Sequence, residues 1–557
     1  MSFFNFIKNL LPPPLTSRWR RAVPRREDES AGKAWRRAVK PMAFIALAAL
    51  CYVLARLALF GLGERPTLTN SLTLAILLAF ILPGRRTYLL LALPLSILVA
   101  LYAPVGFEFG APGFQFIISF YTTNPGEAAD FLGMISIRSW LKAIAVPTLA
   151  WLIHDAAMRL SIRPWRNKTF ILASVITLVV AVCPTRFVQN STEGVKAALA
   201  EISRFRENCV RSAWPKSVRR AGPRDYVLVI GESARRDYFH VYGYPVANTP
   251  FLDRAPATIV DGLAAGGTYT IGSLRLMLTK GDVSRWEPDY SLTLPKLALS
   301  AGITTHWLSN QGFIGQWDTP VSSIAAQSEH VQFRNKLSYD VRNDSDRMLL
   351  GMLDNALAEA DSGADRSNRS NLFVLHTLGS HPDACKRLFP EDAQAKVSEK
   401  RYEYVACYVS TIAKTDVFLK DVHARMLERR ARTGRPFSIL YFSDHGLLQR
   451  ELDGRIHIDN GRPGKRHYDI PLVMIDSERP ERRVLHSRKS GLRFVDGLAN
   501  WMGVENARIE PYDLFDGKDD PEDHGLAKRI AEIELPDDPA IDITPWLVEP
   551  VERVFGE

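Results

Sequence analysis

Three short apolar runs in the second half of this sequence lead directly into residues that bind metals or move protons. Tyr226-Val-Leu-Val-Ile230 runs into Gly231-Glu232-Ser233, and Leu372-Phe-Val-Leu375 into His376 and then Gly379-Ser380-His381. Ser438-Ile-Leu-Tyr-Phe442 runs into Ser443-Asp444-His445-Gly446. A lone Asp-His pair is more often structural, but three such ends together point to one site. Carboxylate oxygen and imidazole nitrogen suit zinc, and a catalytic zinc takes about three protein ligands beside one position for the reacting group. Glu232, Asp444 and His445 can supply the three. The fourth position suits a nucleophile that the metal activates, because a free hydroxyl is a poor nucleophile at neutral pH. Ser233, Thr268, Thr270 and Ser273 are all candidates, and residue type and spacing do not choose among them.

The elements that must position these residues follow from the pattern around them. Continuous apolar runs of strand length, separated by longer helical patterns, read as strands buried on both faces of a parallel sheet. The clearest are 226–230, 305–308, 372–375, 438–442 and 472–475, with helices expected over 347–360 and 402–425. Ligands of open α/β sheets collect at the carboxyl ends of the strands, where the three motifs lie.

The first third of the chain is different. It holds five apolar stretches at about 41–61, 72–83, 88–103, 140–158 and 170–183. A helix rising 1.5 Å per residue needs ~20 residues to cross a bilayer core of about 30 Å, so the second stretch is short for a span. Residues 1–40 carry ten Lys or Arg against three acids, which is +7 of the net +9. Beside a membrane helix that cluster is a positive-inside signal, and the near-neutral remainder gives no support for nucleic-acid binding. Arg85 and Arg86, and then Arg159, Arg163, Arg166 and Lys168, fall on the same side as the N-terminus if there are five spans. Everything after about Val188 then lies on the opposite, non-cytoplasmic face, which is the periplasm in a Gram-negative cell. The first run lies too far from the N-terminus for a cleaved signal peptide. Among the exported cysteines Cys209, Cys385 and Cys407, the preferred pair is Cys385 with Cys407, which flank one predicted loop-and-helix segment.

Together these segments resemble the phosphoethanolamine transferases of Gram-negative inner membranes, within the alkaline-phosphatase/sulfatase superfamily. Val227-Leu-Val-Ile-Gly-Glu-Ser-Ala-Arg-Arg, Tyr242-Gly-Tyr-Pro and Asn248-Thr-Pro are similar to the family's opening metal motif. Gly267-Thr-Tyr-Thr270-Ile-Gly-Ser273 is similar to its nucleophile segment, in which the second threonine is phosphorylated. Trp307-Leu-Ser-Asn-Gln, His376-Thr-Leu-Gly-Ser-His381, Phe442-Ser-Asp-His-Gly446 and Thr123-Asn-Pro-Gly-Glu-Ala-Ala-Asp match further blocks.

The resemblance implies a five-helix transmembrane domain followed by a sulfatase-like α/β domain with a mostly parallel central sheet. Its divisions fall at 1–40 (basic cytoplasmic segment), 41–186 (membrane domain), 187–222 (amphipathic connector) and 223–557 (periplasmic catalytic domain). It places Glu232, Asp444, His445 and Thr270 on zinc, with Thr270 as nucleophile and His381 at the transferred phosphate or a second zinc. One further family histidine lies downstream of Asp-His-Gly. Counting from His445 lands on His457, which is favoured, with His467 as its rival.

Three departures stand out: Leu447-Leu448 in place of Glu-Ser, Gly266 and Arg275 where cysteine and proline are usual, and Ser233 where threonine is common. They leave the ligands intact and bear on the acceptor. The implied reaction moves phosphoethanolamine from phosphatidylethanolamine to lipid A, a core sugar or another periplasmic glycan. The nearest alternatives are a phosphoglycerol transferase and a phosphate or sulfate ester hydrolase. A sulfatase would want Cys/Ser-x-Pro-x-Arg, which residues 267–275 lack. A non-enzymatic membrane scaffold is disfavoured by the complete set of Glu232, Thr270, Asp444 and His445.

Overall fold

The structure is a computed structural model that describes residues 27–114, 116–118, 128, 131–180, 186–208, 212–220, 222–313, 319–336, 345–362 and 369–550. Most of the 123–130 segment, with Cys183 and Cys209, lies outside the described residues. The chain divides into two compact units, one of residues 1–104 and 141–185, the other of residues 105–140 and 186–557. Residues 105–140 therefore fold with the second unit, although they lie between two apolar runs in sequence.

The five apolar runs form helices over their described residues, the second only as far as Ile81: α1 (Glu27–Gly61), α2 (Leu68–Ile81), α3 (Arg85–Phe109, which continues into the second unit), α4 (Ile137–Arg159) and α5 (Lys168–Val180). Among the described residues three segments, Pro41–Gly61, Arg85–Phe109 and Ile137–Arg159, are long and apolar enough to cross a membrane. At 14 residues, α2 extends only about 21 Å. Exposure is inverted relative to a water-soluble bundle. Leu90, Leu101, Ile144 and Leu172 face outward, while Ser71 and Thr73 are buried. Those two hydroxyls donate to the Thr67 and Thr69 carbonyls one turn back, which satisfies them without water. An apolar exterior around small, internally bonded residues is what a lipid-facing bundle requires.

The second unit is built on an eight-stranded sheet. In chain order its strands are β1 (Asp225–Gly231), β2 (Ala257–Ala264), β3 (Ile303–Phe313), β4 (His330–Lys336), β5 (Ser370–His376), β6 (Phe437–Ser443), β9 (Leu472–Asp476) and β10 (Arg483–Ser490). A hairpin of β7 (Leu448–Leu452) and β8 (Arg455–Asp459) separates β6 from β9. The spatial order is β10-β2-β9-β6-β1-β5-β3-β4. β1, β5 and β6 are buried at every position, as their unbroken apolar runs require. Apolar clusters cover both faces, and helices α8 (Met348–Ser362) and α9 (Glu403–Thr433) pack into the one on the β1 Val227 side. Cys385 and Cys407 form a disulfide.

The sheet is mixed rather than uniformly parallel, because β9 runs antiparallel to both β2 and β6. The connection from β6 stays with the short β7–β8 hairpin and includes no helix long enough to carry the chain back across the sheet. β9 must therefore start from the end where β6 stopped. Three further strands, β2, β4 and β10, were not expected from periodicity. β4 and β10 are polar edge strands, and β2 is interrupted by Gly262 at φ 137°, where a Cβ would sit 2.5 Å from the Ser487 carbonyl oxygen. Within the segment expected as connector, the structure has the amphipathic helix α6 (Arg186–Asn208). Its buried Glu201 accepts hydrogen bonds from Arg275 and Tyr290.

Candidate metal centre and nucleophile

The carboxyl ends of β1 and β6 lie side by side in register, Gly231 opposite Ser443, so the residues that follow them emerge together. Glu232, Asp444 and His445 are all buried, with ligand atoms within 4.8 Å of one another. Thr270 is the first residue of helix α7 (Thr270–Met277), and its hydroxyl reaches both Glu232 oxygens at 3.2 and 3.3 Å and His445 Nε2 at 3.4 Å. Of the four hydroxyls open from sequence, Thr270 alone contacts both Glu232 and His445. Ser233 donates to Glu232 from the neighbouring position, and Ser273 donates to the Asp444 carbonyl at 2.6 Å, pinning α7 to the loop after β6. Thr268 is buried before the helix.

The electrostatics ask for a cation. Two carboxylates face one imidazole in a space closed to water, a costly arrangement unless compensated. Burial and the neighbouring Glu232 charge push Asp444 up to about 7. Burial would raise Glu232 as well, but the hydrogen bond and charge of His445, with the charge of His381, hold it down at about 2. His445 would be lowered by burial, and the Asp444 and Glu232 carboxylates raise it to about 9.

Three details fit these residues to a metal. Asp444 Oδ1 accepts the Ser233 and His445 backbone N–H groups, whereas its Oδ2 is buried with no hydrogen-bond partner. His445 Nδ1 donates to the Gly446 carbonyl at 2.7 Å, which turns Nε2 toward the carboxylates as the nitrogen that would bind a metal once its proton is displaced. Ser233 is held at φ 58°, a left-handed conformation that side chains rarely adopt and that clusters at functional sites.

Other residues brace the cluster. Gln311, from the end of β3, donates to Glu232 at 3.3 Å and to the Thr377 carbonyl at 2.7 Å. Asp346 is buried and accepts from Leu378 N, Gly379 N and Asn310 Nδ2, anchoring the loop that carries His381. Gly379, at φ 47°, lets that loop pass where a Cβ would lie 2.9 Å from the Glu232 carbonyl oxygen. Tyr408, from α9, donates to the Ser233 carbonyl and accepts from Arg235 N–H. Sequence gave no role to Gln311, Asp346 or Tyr408. Only the Trp307-Leu-Ser-Asn-Gln block hinted at the first.

The remaining predicted histidines are placed as follows. His381 is half-buried, donates from Nδ1 to the Pro382 carbonyl, and acts on Glu232 through its charge. His467 is fully buried; its Nδ1 accepts from Gly464 N–H, and burial with the charges of His445 and Arg235 lowers it to about 3. His457 stands on β8 with its ring centroid 4.7 Å from that of Tyr404. His376 closes β5, buried and lowered to about 4 by desolvation.

Comparisons with known proteins place the chain in a family. The Sulfatase family model matches residues 224–504, about half of the chain. The chain is 38% identical over 401 residues to a putative phosphoethanolamine transferase of Haemophilus influenzae, covering 71% of this chain and 81% of that one. It is 28% identical to the phosphoethanolamine transferase OpgE of Escherichia coli, covering 74% and 80%. The integral membrane lipooligosaccharide phosphoethanolamine transferase A of Neisseria meningitidis shares the fold, with a TM-score of 0.53, 16% identity, and coverage of 83% of this chain and 97% of that one. With a buried Glu-Asp-His cluster and a threonine hydroxyl against it at the end of a sulfatase-type sheet, the chain belongs to the phosphoethanolamine transferases of the sulfatase family.

Proposed function

We propose that this protein transfers phosphoethanolamine from phosphatidylethanolamine to a glycan or lipid acceptor of the cell envelope, with Thr270 as the nucleophile. The observation that carries the reading is the Thr270 hydroxyl, which lies within 3.4 Å of Glu232 and His445 at the first turn of a helix. Glu232, Asp444, His445 and the Thr270 oxygen would hold a zinc ion. When bound, zinc lowers the pKa of a coordinated hydroxyl and offsets phosphodiester charge.

Thr270 gives up its proton to the carboxylate side of the cluster and its Oγ1 attacks phosphorus. An Oγ1–P bond forms, the bond from phosphorus to the glycerol oxygen breaks, and diacylglycerol leaves with a proton. An acceptor hydroxyl or phosphate then attacks the same phosphorus, releasing the Thr270 oxygen. The first-turn N–H groups of α7 have no intrahelical carbonyl to pair with and favour negative charge beside Thr270. His381, with His457 or His467, holds phosphate oxygens or moves the proton between the acceptor and the leaving group.

The lipid donor and lipid product give the apolar unit its purpose. Its helices form five crossings that leave residues 187–557 in the periplasm, with 187–222 as connector and 223–557 as the catalytic domain. The inverted exposure of the first unit and the basic N-terminal 40 residues support this orientation. Head-group-labelled phosphatidylethanolamine and phosphatidylglycerol, offered separately to the full-length protein, test the donor. Label passes to the protein from the first only. Transfer from phosphatidylglycerol alone would make the enzyme a phosphoglycerol transferase.

A further inference from the structure

A second group of metal-competent side chains lies away from the catalytic cluster. His306 on β3 pairs in register with His330 on the edge strand β4, and their rings stack at 4.5 Å with planes 9° apart. His330 Nδ1 lies 3.2 Å from Glu359 Oε1, on the last turns of α8. One ligand atom from each of the three falls within 4.8 Å of the others. In the sheet, His306 aligns with Phe373 and so with Val227, five residues before Glu232 and two strands away. That separation is about 19 Å by strand rise and spacing.

The pair is hard to explain as packing alone. His306 is 1% exposed, and both of its ring nitrogens are buried without a hydrogen-bond partner. An imidazole buried without hydrogen bonds is unfavourable, and an aliphatic side chain would fill the same place against Phe373, whose ring centroid lies 4.9 Å away. Desolvation, His330 and Arg429 all favour the neutral ring, lowering His306 to about 3, so a nitrogen lone pair is available at neutral pH. Outward from it the site opens, with the His330 and Glu359 side chains 33% and 50% exposed, so an ion reaches it from solvent without the sheet parting.

We propose that His306, His330 and Glu359 form a second divalent-metal site, of the kind that zinc fills, which staples the edge strand β4 to β3 and α8. Two imidazoles and one carboxylate are a zinc-type donor set, with a solvent molecule as the fourth ligand. Binding one ion would require the stacked rings to turn out of their parallel arrangement so that both lone pairs converge. The site's role is structural, since it lies about 19 Å from Glu232 by strand rise and spacing and joins β3, β4 and α8. It is independent of the reading of the catalytic cluster.

The test uses the full-length protein in detergent, stripped of metal, reloaded with zinc chloride and washed. Zinc per chain is counted for the parent, His330→Ala and Glu359→Gln, each also in an Asp444→Asn background. The expected result is one zinc fewer in both variants, the same loss in the Asp444→Asn background, and phosphoethanolamine transfer within about twofold of the parent. Zinc should also raise the melting temperature of Asp444→Asn but not of the Asp444→Asn, His330→Ala double variant. Glu359 is a half-exposed helix residue, so its variant keeps the test meaningful should His330→Ala fold poorly. Unchanged zinc content in either variant, or a loss that vanishes in the Asp444→Asn background, overturns the proposal.

Discussion

The two ends of the central sheet both bury charge, but they treat it in opposite ways. At the amino end, Asp225 accepts from Asn371 through one oxygen, and from Arg429 at 2.7 Å and Arg435 at 3.3 Å through the other. Arg429 in turn donates to Asp361 and to the Leu357 carbonyl, tying α9 to α8. At the carboxyl end Asp444 keeps a buried oxygen with no donor, His376 keeps an unpartnered Nε2, and Ser233 holds a left-handed backbone. Asp225, a buried carboxylate with both oxygens bonded, belongs to the fold, even though Arg429 Nη2 beside it is buried without a partner. A carboxylate held short of partners, on a strained backbone, is waiting for something that is not protein.

That contrast can be broken from either end. Asp444→Asn should cut transfer by about 10³-fold or more, roughly 4 kcal/mol in the barrier. It should leave the metal-free melting temperature near that of the parent, since it neutralises one of two buried carboxylates that share a single imidazole. A large drop in melting temperature would mean that the carboxyl end is structural as well. Arg429→Met should do the reverse. It takes the nearer guanidinium from Asp225 and leaves only Asn371 and the 3.3 Å contact with Arg435, costs about 1–3 kcal/mol of stability, and leaves kcat per folded molecule near the parent value, as thermal unfolding and active-fraction titration would read.

A third buried acid sharpens the comparison through pH. Asp416 caps residues 250–254 by accepting the Phe251 and Leu252 N–H groups, yet burial raises it to about 7. Its folded value lies above the ~3.9 of an unfolded aspartate, so the folded chain keeps a proton that the unfolded chain releases. The stability from the neutral form is complete below about pH 4 and is lost as pH rises through about 7. Between pH 5 and pH 8 the melting temperature of Asp416→Asn should therefore gain on that of the parent, the difference reading this one carboxyl apart from the histidines that titrate in the same range. Smallest of all, Thr319→Ala removes a capping box in which Thr319 and Ser322 bond each other's backbone N–H groups. It should cost about 1 kcal/mol and leave transfer unchanged.

Legibility in the sequence follows the same division. β1, β5 and β6 could be read because strands buried on both faces must be continuously apolar, and the chemistry begins where the apolar run stops. β4 and β10 could not, because an edge strand can be polar. The reversed direction of β9 depends on what connects it to β6, which its own residues do not record. Thr270 could not be separated from Thr268 or Ser273 by residue type, because only the start of α7 aims one hydroxyl at Glu232. Asp346 and Gln311 were invisible for a related reason, since each acts on a loop distant in sequence. Counting forward from His445 to choose between His457 and His467 measures chain length, whereas the β7–β8 hairpin decides where each ring goes.

The most direct test of the account is the intact mass of the full-length protein after incubation with zinc and phosphatidylethanolamine, beside Thr270→Ala. The account predicts a phosphoethanolamine adduct on the parent, none on the variant, and loss of the adduct when an acceptor is added. An adduct on Thr270→Ala, or transfer by that variant at the parent rate, would contradict it.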